Sequence, residues 1–154
     1  MLEEDAEVIN AALRGFLAQS EATAAMIAAE GGFLIFHEGD TRKFDATTLS
    51  ALAAITFKAT QAITSILEER NFTSVYQQGE THSLLISQVD KANMLIVVFP
   101  GGSSVGVIKY YAAALLDTVA RQLNTARERE PGKGIDLALL NLPDSEELFR
   151  KKPR

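Results

Sequence analysis

The chain contains no cysteine, and its only two histidines, His37 and His82, lie far apart. Without cysteine there is no disulfide framework, no thiolate nucleophile and no Cys-ligated zinc or iron–sulfur cluster. Two dispersed histidines make a His-rich metal site unexpected as well, and no cofactor is expected. Basic residues are also in short supply. Fifteen Lys and Arg stand against twenty Asp and Glu, a net charge of −5, which argues against a nucleic-acid or membrane-surface partner. The first residues, MLEEDAE, are acidic where a secretory signal would be basic. No apolar run is expected to reach membrane-spanning length, so the expectation is a soluble, cytoplasmic protein. At 154 residues one domain is the default. What the chain has in excess is apolar character. Hydrophobic residues make up 47% and the mean hydropathy is +0.05, high for a small soluble chain.

Residues 3–18 set Ile9, Leu13, Phe16 and Leu17 at helical spacing, with acids in the first turn where the helix dipole favours them. TAAMIAAE and FLIFHE flank Gly31-Gly32, which predicts a hairpin of two strands. The alanines of TAAMIAA would also suit a helix, but the run between turn signals is too short for one. Asp45 is a plausible N-cap for a helix over 46–70. Then NFTSVYQQ, THSLLISQV and ANMLIVVFP read as a three-strand meander separated by polar turns. MLIVVF (94–99) is continuously apolar, as a central strand buried on both faces should be. After Pro100-Gly101-Gly102-Ser103 a last helix runs to about Glu130, with Val105, Ile108, Ala112, Leu115, Val119 and Leu123 on one stripe. The order is helix-strand-strand-helix-strand-strand-strand-helix. It predicts an α/β (α+β) domain over 1–130, with a five-stranded, mostly antiparallel sheet and helices on both faces. Residues 131–154 form a tail.

The second helix holds much of the apolar excess. Between Ala46 and Leu67 its only charge is Lys58. Leu49, Leu52, Ala59, Ile63, Ile66 and Leu67 are expected to form its core stripe, and the whole apolar arc spans about 240°, far wider than one sheet face needs. A helix of this kind packs on its own sheet and then on a partner's helix, and leaves a low-charge strip over. Charge depletion of this sort marks the cores of interfaces.

These elements, in this order, resemble the roadblock family, and within it the bacterial MglB-type regulators of small Ras-like GTPases. The resemblance covers residues 3 to about 130. It rests on the EGGFLIFHEGD hairpin, the DATTLSALAA helix opening, the meander VYQQGETHSLLISQVDKANMLIVVF and the helix opening SSVGVIKYYAAALL. It implies a profilin/roadblock-like fold and a homodimer. In that dimer the second helix meets its mate and the strand at about Phe72–Gln78 pairs edge to edge, placing Ile55, Ala59, Phe72, Ser74 and Tyr76 at the contact. It also implies that the paired helices bind a GTP-loaded GTPase of the MglA type, and the outward strip of the second helix, Ala51, Ala54, Lys58, Ala62 and Ser65, is the expected contact. Such a regulator reshapes the GTPase's own catalytic residues, so the phosphoryl chemistry stays in the partner and this chain is not an enzyme. The cellular setting so implied is polarity or gliding motility. A roadblock adaptor that only assembles a larger complex is the alternative, and a small-molecule sensor on a similar sheet is a weaker one.

Other features invite catalytic readings and do not sustain them. PGGSSVG (100–106) sits between strand and helix like a phosphate loop, but it lacks the Gly-Lys-Ser/Thr ending and the G-x-G-x-x-G spacing. His37 lies beside Glu38 and Asp40 without an identifiable nucleophile, and His82 opens a strand; both read as exposed strand-end residues. Tyr110 and Tyr111 read as packing, one ring toward the sheet and one toward its flank. In the tail, Ile135, Leu137, Leu139, Leu140 and Leu142 make an apolar patch before the basic end. Chain ends are usually loose, yet so many aliphatic residues also fit a segment that docks on its own dimer or on the GTPase.

Overall fold

The computed structural model describes residues 1–129. The expectations for the 131–154 tail, docking included, fall outside the described residues. The elements are α1 (Glu3–Ser20), β1 (Ala24–Ala29), β2 (Leu34–Gly39), α2 (Ala46–Ile66), β3 (Ser74–Gln77), β4 (His82–Gln88), β5 (Asn93–Pro100) and α3 (Val105–Arg129). All five strands join one antiparallel sheet in the order β2-β1-β5-β4-β3. The run TAAMIAA is indeed a strand. Its two-residue periodicity, sending Ala25 and Ile27 to one face and Met26 and Ala28 to the other, overrides the helical preference of alanine.

Alternation divides the core into two layers. Leu85, Leu95, Val97 and Phe99 meet Ile9, Leu13 and Phe16 of α1 and Ile108, Leu115, Val119 and Leu123 of α3. Ile86, Met94, Ile96 and Val98 face the other way, toward α2. β5, at the centre, is therefore buried on both faces.

A buried carboxylate ties the start of α1 to the end of α3. Asp5 is 1% exposed. It accepts hydrogen bonds from the Leu2 N–H (2.9 Å), Gln122 Nε2 (2.5 Å) and Arg129 Nη1 (2.6 Å). Burial pushes its pKa up, but the bonds from Arg129, Leu2 and Gln122 together outweigh that and hold it below the usual carboxylate value. A depressed native pKa contributes stability that is complete above the unfolded value and is lost as pH falls through the native one. Asp5→Asn is therefore expected to cost about 2 kcal/mol near neutral pH, somewhat less than a fully buried pair because Arg129 is partly exposed. The gap between variant and parent should narrow as urea midpoints are measured from about pH 5 down to pH 3. A gap independent of pH would remove the carboxylate's charge from the account.

α2 departs from expectation in three ways. It ends at Ile66 rather than near residue 70, because Glu68 takes a left-handed φ of 58° and its N–H turns back to the Ser65 carbonyl at 3.2 Å. It is also long and apolar enough, by length and composition, to cross a membrane, although no such run was expected. Third, the side that meets the sheet is made of Ser50, Ala53, Ala54 and Phe57. Leu52, Ile63, Ile66 and Leu67, expected in the core stripe, are exposed. Small inward residues let the helix axis come close to the strands. Gly32, at φ 95° in the β1–β2 turn, marks the closest approach: a Cβ there would lie 3.0 Å from the Cα of Ala51. At its start α2 is capped as expected, the Asp45 carboxylate accepting from the N–H groups of Thr47 (3.0 Å) and Thr48 (3.2 Å) and from the Thr48 hydroxyl (2.8 Å).

Candidate interaction surface

With about 100° of rotation per residue, the faces of α2 follow from its buried side. Opposite the sheet, pointing into solvent, are Ile55, Ala59 and Ile66. One flank carries Leu49, Leu52, Thr56, Thr60, Ile63 and Leu67, and the other carries Ala51, Lys58, Ala62 and Ser65. The large aliphatic residues Leu52, Ile55, Ile63, Ile66 and Leu67 range from 54% to 81% exposed, a contiguous apolar surface. Phe33 adds an exposed ring. It follows Gly32, whose backbone lies against Ala51, and so stands beside the N-terminal half of the helix.

The flank bearing Lys58 faces one end of the sheet. Lys58 Nζ lies 4.0 Å from Glu30 Oε1, and both side chains are well exposed, so the pair adds little. The flank bearing Leu49 faces the other end, where Gln77, His82 and Val98 lie. Of the residues expected to meet a GTPase, Ala51, Lys58, Ala62 and Ser65 are exposed along one line. Ala54 is not. It is 6% exposed and packs toward the sheet, so it has no place on an outward strip.

Of the residues expected at a dimer contact, Ile55 and Ala59 are exposed on the outward side of α2. Phe72 is half-buried against Phe57, with ring centroids 5.1 Å apart. Ser74 and Tyr76 lie on β3, an edge strand. Tyr76 turns its ring to the α1/α3 side, 6.0 Å from Phe99. The two sheet edges differ. β2 carries His37 and Glu38, and Arg14 spans to Glu38 at 3.0 Å, which guards that edge with charge. β3 reads SVYQ without a charge, and such an unguarded edge is open to pairing.

The features that invite catalytic readings come apart in space. In the 100–106 loop the Gly101 N–H is spent on the Thr81 carbonyl (2.8 Å) and the Ser103 N–H on the Pro100 carbonyl (2.9 Å), so neither is aimed at an anion. His37 and His82 are both exposed, on opposite sides of the sheet order. Tyr111 is partly buried, but Tyr110 points to solvent, its ring edge-on to Tyr111 at 5.2 Å, and not toward the sheet. Among the described residues no group of three or more His, Cys, Asp or Glu could hold a metal ion.

What remains is a helix-backed sheet with one unguarded edge and an apolar helix above it. MglB of Myxococcus xanthus superposes with a TM-score of 0.75 at 24% identity, over 81% of this chain and 94% of that one. The chain has the roadblock fold. A structure titled MglB with tetrameric arrangement matches at TM-score 0.77 and 24% identity, over 82% of this chain and 95% of that one. A Roadblock/LC7 domain from Streptomyces avermitilis matches at 0.66 and 17%, over 74% and 96%. No family model matches the sequence, and no curated protein sequence matches it. At these identities the likeness is one of roadblock fold.

Proposed function

We propose that this protein is a cytoplasmic homodimeric regulator that binds a small Ras-like GTPase of the MglA type and modulates its GTP hydrolysis or nucleotide state. The observation that carries the reading is the outward turn of α2. A roadblock-fold chain that puts alanine and serine on its own sheet and leaves leucine and isoleucine in solvent is built to be covered. The homodimer forms by pairing of β3 with its mate, a self-complementary contact about a two-fold axis. That makes one sheet of ten strands and brings two α2 helices side by side on the same face. The GTPase then sits on the outer flank of the pair, against Ala51, Lys58, Ala62 and Ser65. This chain contributes binding and orientation, while the reacting groups belong to the GTPase.

The test is single-turnover GTP hydrolysis by an MglA-type GTPase from the same organism, with and without this protein. Expected is a change in rate or in nucleotide release that saturates with concentration. Ala62→Asp should weaken the response more than tenfold, since an unpaired carboxylate buried under a partner costs well over 1.4 kcal/mol, and should leave the dimer intact, because Ala62 lies on the outer flank of α2. Binding with no effect on hydrolysis or exchange would favour the adaptor. No binding would sink the GTPase reading and leave the adaptor.

A further inference from the structure

One end of the α2 face of the sheet is bare. There the structure has a cleft of about 390 Å³. Its floor is Phe44, Leu49, Leu84 and Val98, and its rim includes Lys43 and His82. Asp40 also lines it, but its carboxylate is held by Arg42 Nε (2.9 Å) and Nη2 (3.0 Å). Lys43 makes no close ion pair among the described residues but also stabilises the Asp40 charge, so the rim carries two cations, Arg42 and Lys43, around one carboxylate over an apolar floor.

The other end of α2 shows the reverse chemistry. Leu67 shares a flank with Leu49, Thr60 and Thr64, all three partly buried, yet it is itself 71% exposed. The helix is about 31 Å long, while five strands span only about 19 Å between outer strand axes. Phe57, at mid-helix, already meets Phe72 just before β3, so α2 continues more than two turns past that contact, and residues 65–70 are all exposed. Glu68, Glu69 and Arg70 follow, all exposed, and the Glu69 carboxylate accepts from the Asn71 N–H (2.8 Å), so Glu68 is the acid turned outward.

Symmetry joins the two ends. A two-fold axis through paired β3 edges, normal to the sheet, reverses strand direction. The end of the sheet near Ser74 in one protomer therefore adjoins the Gln77 end of the other. The cleft lies at the Gln77 end, and the C-terminal half of α2 passes over the Ser74 end, where Phe57 meets Phe72. We infer that the last turn of α2 in each protomer docks into the cleft of its mate, Leu67 on the floor between Leu49 and Leu84 and Glu68 against Lys43. The contact is reciprocal, so it occurs twice per dimer. It fixes how the two helices pair, and hence the shape of the surface offered to a GTPase. The inference rests on the homodimer proposed above.

The absence of native cysteine makes the test direct. Leu67→Cys and Leu84→Cys proteins are mixed, equilibrated and oxidised, and the linked peptides are identified by mass spectrometry. Ala59→Cys serves as a reporter of helix pairing, and sedimentation gives the mass. Expected is a 67–84 disulfide between protomers. Expected too is a severalfold weaker dimer for Lys43→Glu and for Glu68→Lys, with most of the loss recovered when the two are combined. A dimer that links through residue 59 but never between 67 and 84, with no recovery in the charge exchange, overturns the docking and leaves the homodimer standing. A monomer at every concentration overturns both.

Discussion

Phe57→Ala is expected to lower the unfolding free energy by about 3 kcal/mol. Phe57 is the one large side chain on the buried side of α2; the others there are Ser50, Ala53 and Ala54. None of these can move in to fill the space, so the loss combines the transfer energy of a ring with a cavity that cannot collapse. The ring contact with Phe72 is lost as well, and with it the tie between α2 and the segment leading into β3. One feature holds the cost below the top of the range. A small crevice beside Lys58 and Met94 already reaches Phe57, so solvent can enter part of the vacated volume. Urea titration at a fixed protein concentration reads the effect, which keeps any dimer contribution constant. Phe33→Ala, at an exposed ring, should change the same midpoint by no more than about 0.5 kcal/mol in a monomer. A loss under 1 kcal/mol for Phe57→Ala would mean that α2 is not held by its buried face.

Most of the architecture is legible in the residues because it rests on periodicity. The central strand MLIVVF, the stripe from Ile108 to Leu123 and the Asp45 cap each follow from local pattern and local chemistry, and each is where it was expected. The rotation of α2 was not legible, for a reason that follows from its composition. A hydrophobic stripe fixes the phase of a helix only when a polar face opposes it, and α2 has a single charge in 21 residues. The usual assumption that the largest apolar residues point inward then chooses the wrong side. The signal that was available is the spacing of Ser50, Ala53, Ala54 and Phe57 opposite Gly32, small residues set where backbones come close. The same lack of a polar face leaves Ala54 free to fall on the outward strip by pattern, although the structure buries it. The Asp5–Arg129 contact was out of reach too, since the partners are 124 residues apart and only the meeting of α1 with α3 brings them together. The β3 edge was legible in part: NFTSVYQQ carries no charge, but its place at an edge follows from the family resemblance and its bounds, Ser74–Gln77, from the structure.

Leu52→Asp combined with Ile63→Asp is expected to convert the homodimer to a folded monomer. Both residues are about half exposed and lie on the flank of α2 that turns toward the open end of the sheet, the flank a mate would meet. In an antiparallel pair centred near residue 58, Leu52 of one helix approaches Ile63 of the other, so the double change places four carboxylates in one seam. Each lost aliphatic contact is worth about 1.5 kcal/mol or more, and four of them amount to roughly 10⁴-fold in the dissociation constant. The fold should survive, because neither side chain belongs to either core layer. Far-ultraviolet circular dichroism should therefore be unchanged while sedimentation equilibrium reports half the mass. The paired surface would be gone with the dimer, so any effect on a GTPase should disappear even though Lys58 and Ala62 remain. If the variant unfolds, Leu52 and Ile63 serve the protomer's own fold rather than a mate. If it stays dimeric, α2 is not at the interface, and the mates meet along β3 or elsewhere without it.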